Sequence, residues 1–382
     1  MIGIPRQGVC PCGTGYLLVL FSCRCGTSAR KYNGVSCMKI ALITPCYYPF
    51  VRGNAVTVRR IERNLVSRGC EVEVFSLDTV TAEDALKKIR SFNPDILHAF
   101  HAYFGGRTAR LIAESLGKPY IITLTGTDVY EALQDARSEE TILSLKAAGS
   151  VVAFHANIVS RLVEGLPELA GKTCVISQGV EIPGSCYFHH DEFRPEEAEK
   201  VILLPAGIRP VKNVAFALPL LARLHDQGAR LYFVLIGPIL NRGYASEVLA
   251  ELEKCAFAHY FGEVGHHAIG WFYEHADIVL NTSSFEGGMA NSVLEAMAFG
   301  KAVLASNIEG NRSVIMDGVT GLLYHGEAEF SDKLEKLMED EALRKKLGDN
   351  ARDLVVNNFP LEKEAASYVN LYEKILGRSA CS

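Results

Sequence analysis

Two acids and two glycines crowd into one short stretch of this 382-residue chain, Asn281-Thr282-Ser283-Ser284-Phe285-Glu286-Gly287-Gly288-Met289-Ala290-Asn291-Ser292-Val293-Leu294-Glu295. The pattern predicts a strand ending in Glu286, a Gly287-Gly288 turn, and a helix from about Met289 that carries Glu295. Glycines let backbone N–H groups approach a ligand closely, and a helix N-terminus favours an anion. Carboxylates on either side of such a turn are suited to accept hydrogen bonds from a hydroxyl-rich ligand. A plain surface turn, with one capping acid and one solvated acid, would not call for all of these features together.

A second cluster, Ala206-Gly207-Ile208-Arg209-Pro210-Val211-Lys212-Asn213, lies between an apolar run and a helical segment. Arg209 and Lys212 are spaced to turn both cations toward one anion beside a helix start. Together with oriented peptide dipoles they would neutralise a leaving diphosphate without a metal. The bland alternative is two solvated loop cations. In the first half of the chain, Gly53 and Asn54 occupy the first strand-to-helix loop, and Thr125-Gly126-Thr127-Asp128 follows a later strand.

These residues need two similar scaffolds to hold them. From Met38 onward short apolar runs alternate with helical-period segments, the grammar of βαβ units and a parallel sheet. Strands are predicted at 39–44, 72–76, 96–100, 120–125, 151–155 and 173–177, with Val58, Ile61 and Leu65 on one helical face before a stop at Gly69. A charged stretch over 191–200 reads as a linker. The second half restarts with strands at 201–206, 231–236, 277–282 and 302–306 and helices over 213–228 and 289–300. A charged helical tail runs from 329 to 376 with a break at Pro360. The expectation is an α/β protein of two Rossmann-like domains, 38–195 and 200–358, facing each other across a cleft. A terminal segment, 359–382, is expected to form a helix that returns to the first domain. Parallel sheets bind ligands at the carboxyl ends of their strands, so the cleft has two ligand-binding edges.

Composition narrows the function classes. The 39 basic and 44 acidic residues give a formal charge of -5 without a basic run, so no nucleic-acid partner is expected. No apolar stretch approaches the about 20 residues that span a bilayer, which leaves at most peripheral membrane contact. Five of the eleven cysteines fall in the first 37 residues, and the other six are scattered singly, as buried thiols of a cytoplasmic protein are. Residues 1–37 lack periodicity and are expected to stand outside the folded enzyme. Two other readings stay open there: a small metal site on Cys10, Cys12, Cys23 and Cys25, and a leader peptide around an apolar stretch at 16–21.

The 281–300 stretch resembles the donor-binding motif of glycosyltransferase family 4, the retaining GT-B-type enzymes. The runs Gly53-Asn54-Ala55-Val56-Thr57, Thr125-Gly126-Thr127-Asp128-Val129 and Ile176-Ser177-Gln178-Gly179-Val180 are similar to the branch of glycosyltransferase-1-domain-containing proteins and, more distantly, selenosugar synthases. The resemblance implies a hexosyltransferase-type enzyme with a nucleotide sugar as substrate, no cofactor, no metal and an unidentified acceptor. By resemblance Glu286 and the amides of Gly287, Gly288 and Met289 meet the transferred sugar, and Glu295 holds the ribose hydroxyls. Arg209 and Lys212 grip the pyrophosphate, with Gly53 and Asn54 approaching the donor from the other domain. Three departures stand out. Eight residues separate the acids where the family has seven, Asn54 replaces the second of two glycines, and Thr125 stands where many members carry a histidine. Thr125, Asp128 and His98 are the acceptor-side candidates, with His101 beside them. In the front-face mechanism the family implies, the leaving phosphate accepts the acceptor's proton, so loss of that histidine does not exclude transfer. A non-catalytic nucleotide-sugar binder and a GT-B-type epimerase are the competing readings.

Overall fold

Burial on both faces is what makes the strands of this chain read as unbroken apolar runs, and each such run forms a strand of a parallel sheet. The computed structural model describes residues 38–47, 53–185 and 198–378; the extension 1–37 and most of the expected linker lie outside the described residues. The first sheet contains β1 Lys39–Thr44, β2 Glu71–Ser76, β3 Ile96–Phe100, β4 Tyr120–Thr123, β5 Ser150–Ala153 and β6 Thr173–Val175. Its spatial order is β2-β1-β3-β4-β5-β6. The second contains β7 Lys200–Pro205, β8 Leu231–Ile236, β9 Ala258–Tyr260, β10 Ile278–Asn281, β11 Ala302–Ser306 and β12 Leu322–Tyr324, in the order β12-β11-β10-β7-β8-β9. Every pairing is parallel.

Helices cover both faces of each sheet. Around the first are α1 Gly53–Ser67, α2 Ala82–Phe92, α3 Gly106–Leu116, α4 Ser138–Ala147 and α5 Ala156–Gly165. Around the second are α6 Ala217–Asp226, α7 Arg242–Leu252, α8 Ile269–His275, α9 Asn291–Ala298, α10 Glu309–Arg312, α11 Glu327–Glu339 and α12 Glu341–Asn358. Each sheet is thus sandwiched between two apolar clusters. The last helix, α13 Leu361–Ile375, packs on the first domain, where Tyr368, Val369 and Tyr372 share one cluster with Met38, Ile40 and Leu42.

Strand order decides where ligands can sit. In both sheets the order reverses once, between β1 and β3 in the first and between β7 and β10 in the second. The loops leaving the carboxyl ends of those strands diverge there and open a crevice. The loop after β7 carries Arg209 and Lys212, the loop after β10 carries Glu286, and α1 begins at Gly53 after β1.

Candidate functional site

Lys212 and Glu286 come from the two strands that flank the second switch point, and their side chains form an ion pair. The loops beneath them are stitched together. Thr282 Oγ1 donates to the Lys212 carbonyl at 2.8 Å, and Ser284 N donates to the Val211 carbonyl at 2.9 Å. Asn213 takes the left-handed conformation (φ 45°), which ends the short 3₁₀ turn Pro210–Lys212. α6 starts only at Ala217, so the expected helix from 213 begins with tight turns instead. Likewise β10 ends at Asn281 rather than at Glu286, and α9 starts at Asn291. Glu286 therefore sits in a loop, fixed by side chains instead of by strand pairing.

Those side chains converge on one oxygen. Glu286 Oε1 accepts from Lys212 Nζ, from Ser283 Oγ at 2.7 Å and from Asn281 Nδ2 at 3.4 Å. Burial pushes the Glu286 carboxyl up, but the Lys212 charge and these hydrogen bonds outweigh it and hold the pKa below the usual carboxylate value. Asn311 braces the same loop, donating from Nδ2 to Asn281 Oδ1 at 3.2 Å and to the Ser306 carbonyl at 2.9 Å. Glu286 Oε2 has no hydrogen-bond partner among the described residues and remains available to a ligand hydroxyl. Arg209 lies at the start of the 3₁₀ turn with its side chain exposed and, among the described residues, in no ion pair.

The glycines do steric work here. A Cβ on Gly126 would lie 2.0 Å from Gly287 Cα, and Gly126 itself has φ +101°. The two domains thus meet backbone to backbone at the turn that carries Gly287. Behind it, a Cβ on Gly310 would lie 2.6 Å from both Glu286 Cβ and the Gly288 carbonyl. Gly288 has room, with Phe154 at an ordinary 3.5 Å from the place of its missing Cβ. The Met289 side chain packs into the domain core, so only its backbone can face the cleft. The domains also meet through Tyr130, whose hydroxyl donates to Glu309 at 2.7 Å and whose ring packs edge-on against Phe285.

Glu295 lies one helix turn into α9, nearly buried. Its Oε2 accepts from the Tyr273 hydroxyl at 2.8 Å, and its Oε1 faces His266 Nε2 at 3.6 Å. The carboxylate holds the His266 imidazole above its ordinary pKa, against the opposing effect of burial. Neither Tyr273 nor His266 stood out in the sequence, because Tyr273 follows an apolar helical run and His266 lies in a loop far from Glu295 in the chain.

On the first domain, Asn54 Nδ2 donates to Thr44 Oγ1 at 3.2 Å, while its Oδ1 is buried without a partner among the described residues. Asp128 is fully buried and spends its carboxylate on backbone amides. Oδ1 accepts from Gly126 N at 2.8 Å, and Oδ2 from Thr125 N at 3.0 Å and Ala102 N at 3.1 Å. It shapes the Thr125-Gly126 loop and presents no free oxygen pair to an acceptor. Thr125 remains beside the Gly126–Gly287 contact. His98 is 0% exposed and lies in the core, not at the cleft. Its Nδ1 and Nε2 pair with the Tyr372 hydroxyl and Thr123 Oγ1, each at 2.7 Å, and burial lowers its pKa to about 3. The acceptor-side expectation for His98 therefore gives way to a packing role, since both ring nitrogens are already occupied. His101, with φ 69°, turns its Nδ1 to the amides of Tyr103 and Phe104. Arg312 caps its own turn through the Asn307 carbonyl and Oδ1.

Comparison with known proteins adds the remaining facts. The family model "Glycosyl transferases group 1" matches residues 188–354, and "Glycosyl transferase 4-like" matches 69–153. Glycosyltransferase 1 domain-containing protein 1 of Xenopus tropicalis is 26% identical over 84% of this chain and 93% of its own length. N-acetyl-alpha-D-glucosaminyl L-malate synthase of Bacillus anthracis is 23% identical over 89% of this chain and 98% of its own. Among solved structures, HepE of Anabaena with UDP and glucose superposes with a TM-score of 0.71 at 16% identity, covering 88% of this chain and all of that one. Sucrose-phosphate synthase of Thermosynechococcus elongatus gives 0.76 at 18%, over 90% of this chain and all of its own. These likenesses identify the fold as GT-B.

Proposed function

We propose, as this chain belongs to the glycosyl transferases group 1 family, that it moves a hexosyl group from a nucleotide-sugar donor to an acceptor hydroxyl. The observation that carries the reading is the Lys212–Glu286 pair at the second switch point, with Glu295 on the next helix and Gly126 closing the cleft opposite. In this reading Arg209 and Lys212 take the donor diphosphate. Glu286, with one oxygen anchored and the other open, accepts from hydroxyls of the transferred sugar. Glu295 accepts from the ribose, and Gly53 and Asn54 approach the donor from the first domain. Support for the hexosyl unit comes from HepE, solved with UDP and glucose.

Transfer then proceeds with retention. The sugar's C1–O bond to phosphate breaks as the acceptor oxygen bonds C1 on the same face, and the acceptor's proton passes to the departing phosphate oxygen. Two cations close to the developing phosphate charge stabilise it, which is why we propose that no metal is required. The acceptor enters beside Thr125. The singly scattered cysteines suit a reducing, cytoplasmic setting; no helix among the described residues is long and apolar enough to cross a membrane.

A panel of UDP-, GDP- and ADP-sugars tests the proposal through melting temperature and nucleotide release. One donor is expected to raise the melting temperature and to be turned over equally with EDTA or magnesium. Binding without turnover would favour a nucleotide-sugar sensor, and restoration of turnover only by a divalent cation would overturn the metal-free mechanism.

A further inference from the structure

His101 carries its proton at a fixed place. Its Nδ1 accepts from the backbone N–H of Tyr103 at 3.2 Å and of Phe104 at 3.4 Å, so the ring hydrogen sits on Nε2. Burial lowers the pKa, against the opposite pull of Asp128, and keeps the imidazole neutral. Among the described residues no hydrogen bond uses that Nε2 hydrogen. The residue also has φ 69°, uncommon for a side chain of this size, at the start of the π-helical turn His101–Gly105. This turn sits over the first switch point: a Cβ on Gly105 would lie 2.3 Å from the Phe100 carbonyl of β3 and 2.9 Å from the Ile43 carbonyl of β1. Asp128 ties it to the Thr125 loop, since Oδ2 accepts from both Ala102 N and Thr125 N. Gly126, next in that loop, abuts Gly287 of the other domain. Beside His101, Phe104 is 44% exposed, its ring centroid 4.7 Å from that of His101 and 5.1 Å from that of Tyr103.

An exposed ring at the ligand edge of a sheet offers a negative π face, which suits the polarised C–H bonds on the face of a sugar ring. The neighbouring cations are already committed. Arg137, 5.9 Å over the Tyr103 ring, pairs with Asp135 and Glu131, and Arg107 and Arg110 pair with Glu140. An anionic ligand here would find none of these charges unpaired, whereas a neutral oxygen needs only the one N–H. We propose that the turn His101–Gly105 is the acceptor shelf, where Phe104 packs against the face of a neutral, sugar-like ring and His101 Nε2 donates to one of its oxygens. The inference rests on the glycosyltransferase reading and deepens it by naming the acceptor's class. It makes His101 a positioning residue and not the base, because a ring nitrogen that already carries its hydrogen cannot take another.

The test supplies the donor selected by the panel together with methyl glucoside or methyl galactoside as neutral rings, glucuronate or glucose 6-phosphate as charged ones, and glycerol as an acyclic polyol. Mass spectrometry should find transfer to a neutral ring and little to the charged or acyclic probes. His101→Asn keeps a residue that tolerates the left-handed backbone and an oxygen for the two amides, but places no donor where Nε2 does. It should raise the acceptor KM by about tenfold, leave the donor KM unchanged, and keep the shape of the wild-type pH profile between about pH 6 and 8. Phe104→Ala should raise the acceptor KM similarly, and Phe104→Tyr, which retains the ring, should restore it. An unchanged acceptor KM in either His101→Asn or Phe104→Ala, or an ionisation lost from the His101→Asn profile, would overturn the inference. So would transfer only to charged or acyclic probes, or to none of them while the donor is still hydrolysed; in all these cases the glycosyltransferase reading stands. Failure of every donor to bind or be turned over by wild type would overturn both.

Discussion

Lys212 and Glu286 lie 74 residues apart in the chain yet meet in the fold, and each shapes what the other can do. Without a donor the ammonium neutralises a buried carboxylate; with a diphosphate in place it has a second anion to serve. Arg209 has no such partner among the described residues, and its side chain is exposed. Removing either cation should therefore cost transition-state stabilisation. We expect Arg209→Ala and Lys212→Ala each to lower kcat/KM by on the order of 10²-fold or more, and steady-state kinetics with near-normal values in both would refute their role. The acids, glycines and cations of this site were visible in sequence because they cluster beside strand ends with few structural reasons to be there. His98 misled for the opposite reason. A motif position does not say which way a side chain points, and a strand histidine with two hydroxyl partners looks in sequence like one facing a cleft. Tyr273 and His266 were invisible, since only the fold brings them to Glu295.

At the level of elements, α13 is tied to α1 by more than apolar packing. Arg60 Nε and Nη2 donate to the two oxygens of Glu364, both at 3.0 Å, with the side chains 3% and 1% exposed. Truncating one partner strands a charge in the interior, at a cost of about 3–5 kcal/mol. Glu364→Ala should lose that much in urea denaturation. Replacing both residues by apolar ones of similar volume should recover most of it, and an additive loss in the double variant would argue against a coupled pair. The strands themselves were largely legible, because alternation of apolar runs and helical periods leaves little freedom in an α/β chain. The short strands Ala258–Tyr260 and Leu322–Tyr324 escaped notice, since three residues carry no periodicity of their own. The late start of α6 and α9 escaped for a related reason: the apolar residues just before them, Val214 to Phe216 and Met289 to Ala290, read as part of the helices.

Across the whole molecule, two sheets with one switch point each face one another, and contacts between their loops close the cleft. Gly126 against Gly287 sets the approach of the backbones, and Tyr130 with Glu309 adds a hydrogen bond at the same seam. Glu286 lies in the loop before α9 and Glu295 within that helix, so the two acids stand on different sides of the Gly287-Gly288 turn. The most direct test is calorimetry and turnover on Glu286→Gln and Glu295→Gln, using the donor and free nucleotide selected by the panel. Glu295→Gln is expected to weaken nucleotide and nucleotide sugar alike, a uniform binding loss. Glu286→Gln should leave nucleotide affinity intact and lower kcat, because its contact matters most as the sugar leaves phosphate. Loss of free-nucleotide binding in Glu286→Gln, with Glu295→Gln unaffected, would contradict this account.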